Sequence, residues 1–317
     1  MKESQIIELA AQCGYECERA IALKLEASGR EYWRLIHNSN HLVLCFLDIS
    51  NGDHLEFCNL ADALSSHDVN VPKVLLHSPE LGITIQEDLG DIDLLEILDE
   101  SNKAELTNKS LEQLIKIQEI PNLDIKKLSE EELLNQISLF SKVFCNQFLK
   151  IEADKSILEL STAAIKNLRD SPKLNCHFDF ERRNLIASKA NVISVIDFQD
   201  LCIGPIGIDL AGILLDHYLT FDEAFIKESL AFYKTKSSVD LNVDALFECF
   251  RWGGIQRNMR ILGTLSRLYI NNNRSFRLND LPVILDNLIS VIPNDLSCKN
   301  YLIDTIKPKL IEKLASI

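Results

Sequence analysis

His177 to Asp200 reads HFDFERRNLIASKANVISVIDFQD, and this stretch decides how the rest of the chain is understood. It holds an aspartate at 179, an asparagine at 184 and a second aspartate at 197. Asn184 to Ser188 (NLIAS) and Val192 to Asp197 (VISVID) are rich in apolar residues and alternate as two short strands would. Lys189-Ala190-Asn191 lies between them as a hairpin turn. Antiparallel pairing at ~5 Å returns Asp197 close to Asn184. Two oxygen ligands then converge beside Asp179. Oxygen-only ligation suits Mg²⁺, which keeps some waters and takes further ligands from substrate phosphates. A phosphoryl-transfer site needs this set: an aspartate to orient and deprotonate a hydroxyl, and two side chains to hold the metal. For any one of these residues an ordinary polar loop and hairpin would serve as explanation; the ordered set at this spacing points to chemistry.

Composition sets the bounds. At 317 residues the chain suits one large domain or two lobes sharing a cleft. Hydrophobic residues make up 46% and mean hydropathy is +0.02, enough for a packed core and outside any disordered class. Lys and Arg number 33 against 47 Asp and Glu, a net charge of −14, which argues against nucleic acid or an anionic membrane as the main partner. Nine scattered cysteines do not make a disulfide framework, and buried thiols are expected of them. The opening MKESQIIELAAQCG has acids where a signal peptide has its apolar core, and no apolar run is long enough to span a bilayer. A reduced, cytoplasmic setting is expected.

Outward from the central stretch, hydrophobic period assigns the elements. Residues 3–13 read as an amphipathic helix. Ile21, Leu23 and Leu25 alternate, Ala27-Ser28-Gly29-Arg30 breaks the run, and Tyr32–Ile36 and His41–Leu47 read as strands. Residues 53–65 form a helical pattern, and residues 71–76 and 82–85 two further strands leading into Gln86-Glu87-Asp88-Leu89-Gly90. Helical patterns then dominate: Asp93–Asp99, Asn108–Gln118, Glu130–Leu149 and Lys155–Arg169. Beyond Asp200 the chain turns at Gly204-Pro205 and becomes an apolar helix with Asp209 at its start, placed to cap backbone N–H groups. Phe250 to Tyr269 (FRWGGIQRNMRILGTLSRLY) carries an apolar stripe of Ile255, Met259, Leu262 and Leu265 with arginines around it.

The motifs carry a resemblance. H-x-D-x-x-x-x-N followed by D-F-x in a hairpin is similar to the catalytic and metal-binding segments of kinase-like phosphotransferases. HFDFERRNL, then VIDFQDLCIGPIGIDLAGIL, resembles the aminoglycoside phosphotransferase superfamily more closely, and within it the bacterial kinases that phosphorylate N-acetylmuramate and N-acetylglucosamine at the anomeric carbon. The resemblance implies an α+β, bilobal, protein-kinase-like fold: a small N-terminal antiparallel sheet with one main helix (1–88, nucleotide-binding) and a larger, mostly helical C-terminal lobe (89–317, catalytic and substrate). It implies ATP and Mg²⁺ as cofactors, Asp179 as catalytic base, and Asn184 and Asp197 as metal ligands. His177 and Asp209 become structural residues of the catalytic loop.

By the same resemblance Ser28, Gly29, Arg30 and Arg34 cover or neutralise the nucleotide phosphates, and Glu87, Asp88 and Leu89 form the hinge against the base. Arg183, Gln199, Gln256 and Arg257 become substrate contacts. Asn258 stands where those kinases have histidine, and Cys45 or a neighbour where most kinases have a phosphate-pairing lysine, with Lys24 too early to replace it. The implied function is phosphorylation of an amino-sugar hydroxyl in cell-wall recycling, with a nucleotidyltransferase acting downstream. Two other readings stay open: an aminoglycoside, choline or homoserine-type alcohol as acceptor, and a nucleotide-binding pseudokinase.

Overall fold

The computed structural model describes residues 1–23, 29–188, 191–275 and 277–317. The chain divides into two compact units, Met1–Asp99 with Arg183–Gln199, and Glu100–Arg182 with Asp200–Ile317.

The first unit opens with helix α1 (Glu3–Gln12), then strands β1 (Arg19–Ala22), β2 (Glu31–His37) and β3 (Asn40–Phe46), helix α2 (Leu55–Ser66), strands β4 (Val74–Ser78) and β5 (Ile83–Glu87), and a single turn, α3 (Leu94–Ile97). The strands form one antiparallel sheet in the order β1-β2-β3-β5-β4. A strand's period of two gives its faces different work. Trp33, Leu35, Leu44 and Ile85 pack against Ile6 and Ala10 of α1. The opposite face carries a polar row across four strands, with Tyr32 opposite Cys45, Cys45 opposite Thr84 and Thr84 opposite His77. Residues 93–99, read as a helix from sequence, make only the turn of α3, because Leu98 passes into extended backbone.

From Lys103 the chain forms α4 (Lys103–Glu119), α5 (Glu130–Leu139), α6 (Lys155–Asp170), strand β6 (Lys173–Cys176), hairpin strands β7 (Leu185–Ala187) and β8 (Ile193–Val195), strand β9 (Cys202–Pro205), α7 (Gly207–Leu214), α8 (Glu223–Lys236), α9 (Val243–Asn272), α10 (Leu281–Val291), α11 (Cys298–Tyr301) and α12 (Lys307–Ala315). Phe140–Leu149, expected as plain helix, winds as a π-helix along which Phe140, Phe144 and Phe148 stack with centroids 5.2 and 6.2 Å apart. The β6–β9 pair was hidden from sequence, since four-residue strands are too short to show alternation. Among the described residues no helix is long and apolar enough to cross a membrane.

Helix α9 runs through the core of the second unit and is buried on more than its expected stripe: Gln256, Arg257 and Asn258 are as enclosed as Ile255 and Met259. Its contact with α7 is made by backbone. A Cβ on Gly253 would lie 2.1 Å from the carbonyl oxygen of Gly207, and one on Gly207 would lie 1.8 Å from that of Cys249. Only hydrogen at these positions allows the two helices to approach so closely. Gly253→Ala should therefore force α7 and α9 apart, with a loss of roughly 3 kcal/mol or more, at the upper end of the usual overpacking cost. Urea unfolding of the variant measures it, and a loss under about 1 kcal/mol would contradict the contact.

Candidate active site

The site grows from the end of β6. Cys176 pairs with Cys202 of β9, and the chain then turns through His177-Phe178-Asp179. Asp209 does not cap its own helix. From the first turn of α7 its carboxylate accepts the backbone N–H of His177 at 2.6 Å and of Phe178 at 2.8 Å, while itself buried. Phe178 is held at φ 74°, a left-handed conformation that an aromatic residue adopts only when its surroundings impose it. The His177 ring lies buried, edge-on to Phe180 at 5.7 Å. Burial pushes the Asp209 carboxyl above its ordinary range, against the charge of His177 and the two N–H donors.

The turn leaves the Asp179 side chain 40% exposed amid buried neighbours. Two guanidiniums from α9 flank its Oδ1: Arg257 Nη2 at 3.8 Å and Arg260 Nη2 at 3.7 Å. Both are close enough for strong attraction and too far for a hydrogen bond. Arg257 is committed elsewhere, donating to Glu181 at 2.6 Å with both partners buried. Loss of hydration, then repulsion from Glu181, raises the Asp179 pKa, and Arg260, Arg257 and His177 oppose the rise. Gln256, expected as a sugar contact, is wholly buried and donates to Gln136 at 2.6 Å, since neighbouring residues of a helix face different directions. Asn258 donates to the Gly254 carbonyl within its own helix.

Asn184 and Asp197 belong to the first unit, and the hairpin brings them together there. Leu185 pairs with Val195, and the Ile196 N–H donates to the Asn184 carbonyl at 3.0 Å. The turn residues Lys189 and Ala190 lie outside the described residues; Asn191 is left-handed at φ 54°. The hairpin is fastened by the Val195 N–H to the Asn70 carbonyl at 2.7 Å, by Asn70 Nδ2 to the Ile193 carbonyl at 3.0 Å, and by the Ala187 N–H to the Ile92 carbonyl at 2.9 Å. Asp197 takes φ 63°, and Gln199 donates its side-chain amide to Asp197 Oδ1. Gln199, expected on the substrate, thus also steadies Asp197. Arg183 is half-buried at the start of this segment.

The remaining expected nucleotide residues also lie in the first unit. Ser28 and Lys24 fall outside the described residues. Gly29 has φ 77° with open space where a side chain would be. Arg34 does not stand free for phosphate: it clasps Asp88 through Nε at 2.5 Å and Nη2 at 2.9 Å, and reaches Asp91 at 2.6 Å. Asp88 is correspondingly a buried partner of Arg34, and its Oδ1 also accepts the Gly90 N–H at 2.9 Å; Glu87 beside it is exposed. Arg30 differs, because its Nε is buried without a partner among the described residues. Its charge acts on Tyr32, Cys45 and His54. Cys45 is buried, and desolvation pushes its thiol up to about 12. Tyr32 in turn feels the charge of Asp197.

A family model described as "Phosphotransferase enzyme family" matches residues 20–242, more than half of the chain. The chain belongs to that family. An N-acetylmuramate/N-acetylglucosamine kinase of Neisseria meningitidis is 27% identical over 283 residues, covering 83% of this chain and 82% of the relative. One of Pseudomonas aeruginosa is 26% identical over 267 residues, covering 81% and 79%. Among solved structures, choline kinase LicA from Streptococcus pneumoniae superposes with a TM-score of 0.64 at 16% identity, over 90% of this chain and 99% of that one. Spectinomycin phosphotransferase APH(9)-Ia, in complex with ADP and spectinomycin, gives 0.63 at 14%, over 95% and 98%. The kinase-like α+β fold implied by sequence is the fold this phosphotransferase has.

Arg260 and Glu181 complete the surroundings of Asp179 in this phosphotransferase, and sequence reading passed over both. Glu181 carried a signal, two residues beyond Asp179 in the same loop; Arg260, 81 positions away, carried none until α9 placed it one turn from Arg257. Asp209 is the testable keystone of the loop. Asp209→Ala strips two buried N–H groups of their acceptor, at roughly 1–3 kcal/mol for each. Thermal and urea unfolding should show that loss, and a variant within about 0.5 kcal/mol of the parent would disprove the bracing role.

Proposed function

We propose that this phosphotransferase moves the γ-phosphoryl group of ATP to a hydroxyl of an amino sugar, the anomeric hydroxyl of N-acetylmuramate or N-acetylglucosamine. Asp179 is its base, and the observation that carries this reading is the setting of that carboxylate. Its side chain is 40% exposed, its pKa is raised by burial and by Glu181, and two guanidiniums stand 3.7 and 3.8 Å from its Oδ1, a setting that suits a carboxylate receiving the proton of an acceptor O–H. Asp179 takes that proton as the oxygen attacks, and the proton remains on its carboxyl. An anomeric hydroxyl is more acidic than an ordinary alcohol and asks less of such a base.

The donors in the hairpin suit a hard divalent ion. Asn184 and Asp197 offer side-chain oxygens, the Ile196 to Asn184 hydrogen bond holds them together, and Gln199 orients Asp197 through its Oδ1. Asn184 and Asp197 would hold Mg²⁺, which offsets phosphate charge when bound. Arg30 replaces the lysine that β3 lacks. Its charge acts on Cys45 and Tyr32 and its Nε has no partner among the described residues, whereas Arg34 is occupied by Asp88 and Asp91. Glu87, Asp88 and Leu89 line the base, with their main chain as the reader.

The two kinase-named relatives support the sugar, and so does charge. Arg260 beside Asp179, whose charge no carboxylate other than Asp179 answers among the described residues, disfavours an ammonium-bearing acceptor such as an aminoglycoside or choline. A sugar 1-phosphate made here is the kind of product a nucleotidyltransferase consumes.

Phosphate transfer from ATP and Mg²⁺ to N-acetylmuramate, N-acetylglucosamine and kanamycin tests the reading: turnover of the amino sugars and none of kanamycin is expected, and the reverse would refute it. Asp179→Asn should lower kcat at least ~10³-fold with ATP affinity nearly unchanged, and a variant keeping most of its activity refutes the base. Arg30→Met should raise KM for ATP roughly tenfold or more, while Arg34→Met should act mainly on stability; equal effects on KM would remove the distinction. Because the Asp179 pKa is raised, the protonated, inactive form persists to higher pH than for an ordinary carboxyl. The acid limb of kcat/KM should fall above pH ~4.

A further inference from the structure

Arg257 and Arg260 stand one turn apart on α9 and bring guanidiniums to the same oxygen of Asp179. In other respects they differ. Arg257 is 1% exposed and its Nη2 is fixed on Glu181, so its charge is answered inside the core. Arg260 is 17% exposed and lies over the ring of Phe178 at 4.4 Å. Its one hydrogen bond among the described residues runs from Nη2 to the Phe178 carbonyl at 3.3 Å, and its Nε is buried with no partner. No carboxylate other than Asp179 pairs with it among those residues.

A guanidinium presents five N–H donors in a rigid fork, and Arg260 has most of them unspent. Such a fork matches two oxygens of a carboxylate, and its seat over Phe178 restricts its freedom in advance. A neutral hydroxyl would answer it poorly. Any sugar whose hydroxyl rests on Asp179 brings the rest of its ring within a few ångströms of this fork. We infer that Arg260 binds a carboxylate carried by the acceptor and so sets a preference for an acidic amino sugar over its neutral parent. The inference rests on the reading of Asp179 as the residue that receives the acceptor hydroxyl.

N-acetylmuramate and N-acetylglucosamine form the test pair, since they share ring and acetamido group and differ by a lactyl ether that ends in a carboxylate. In Arg260→Gln, kcat/KM for N-acetylmuramate divided by that for N-acetylglucosamine should fall tenfold or more, chiefly through KM, and Arg260→Lys should recover part of the loss. The ratio cancels any effect on Asp179 or on the phosphoryl group, which both sugars share. An equal fall for both sugars, or no fall for either, overturns the inference.

Calorimetry without ATP separates the two layers. N-acetylmuramate should bind the parent protein and bind Arg260→Gln at least tenfold more weakly, with N-acetylglucosamine unchanged. If that difference holds but neither sugar is phosphorylated, the acceptor reading fails and the carboxylate site stands. If the difference is absent, or the parent binds no N-acetylmuramate, the carboxylate site fails even where both sugars turn over.

Discussion

The carboxylate of Asp209, receiving the N–H groups of His177 and Phe178, is the interaction on which the active-site loop depends. Phe178 sits in a backbone conformation that costs of order 1 kcal/mol or more, and the bend there is what lifts Asp179 out of a buried strand. Ion and dipole meet in a dry interior, where each hydrogen bond to a charged group is worth more than a neutral one. Asp209 is itself placed by the close approach of α7 to α9, which the glycines at 207 and 253 permit. One chain of cause therefore runs from two missing side chains to the position of the Asp179 carboxylate.

Electrostatics around Asp179 follow a second rule. Glu181, Arg182, Asp216 and Arg257 are all buried, and buried charges persist only when paired. Arg257 pairs with Glu181, and Arg182 lies 3.4 Å from Asp216 and over the ring of Phe221. Asp179 and Arg260 are the members of the group that retain exposure, and they are the two to which the chemistry is assigned. The pairs beneath them answer the charges that are fully enclosed.

The first unit places two arginines near a sheet whose third strand lacks lysine, and their surroundings differ. Strand pairing sets Tyr32 against Cys45, and the charge of Arg30, just before β2, acts on both. Arg34, two residues on from Tyr32, has the same facing and is neutralised by the acids that follow β5. Two arginines that look equivalent in SGREYWRL thus have different work, and the difference lies in carboxylates more than fifty residues away.

Sequence by itself determined the order and type of most elements, the hairpin that carries Asn184 toward Asp197, and the family. Those depend on local period, turn chemistry and motif spacing, all of which operate over a few residues. Tertiary structure alone decided which side chains are spent and which are available. Asp209, placed in the loop by resemblance, accepts the N–H groups of His177 and Phe178, Gln256 faces the core, Gln199 holds Asp197, and Arg260 joins Asp179. Each of these is a pairing made across long sequence separation by packing in the interior. A charge or amide must find its partner wherever the fold brings one, and the local sequence does not record where that is.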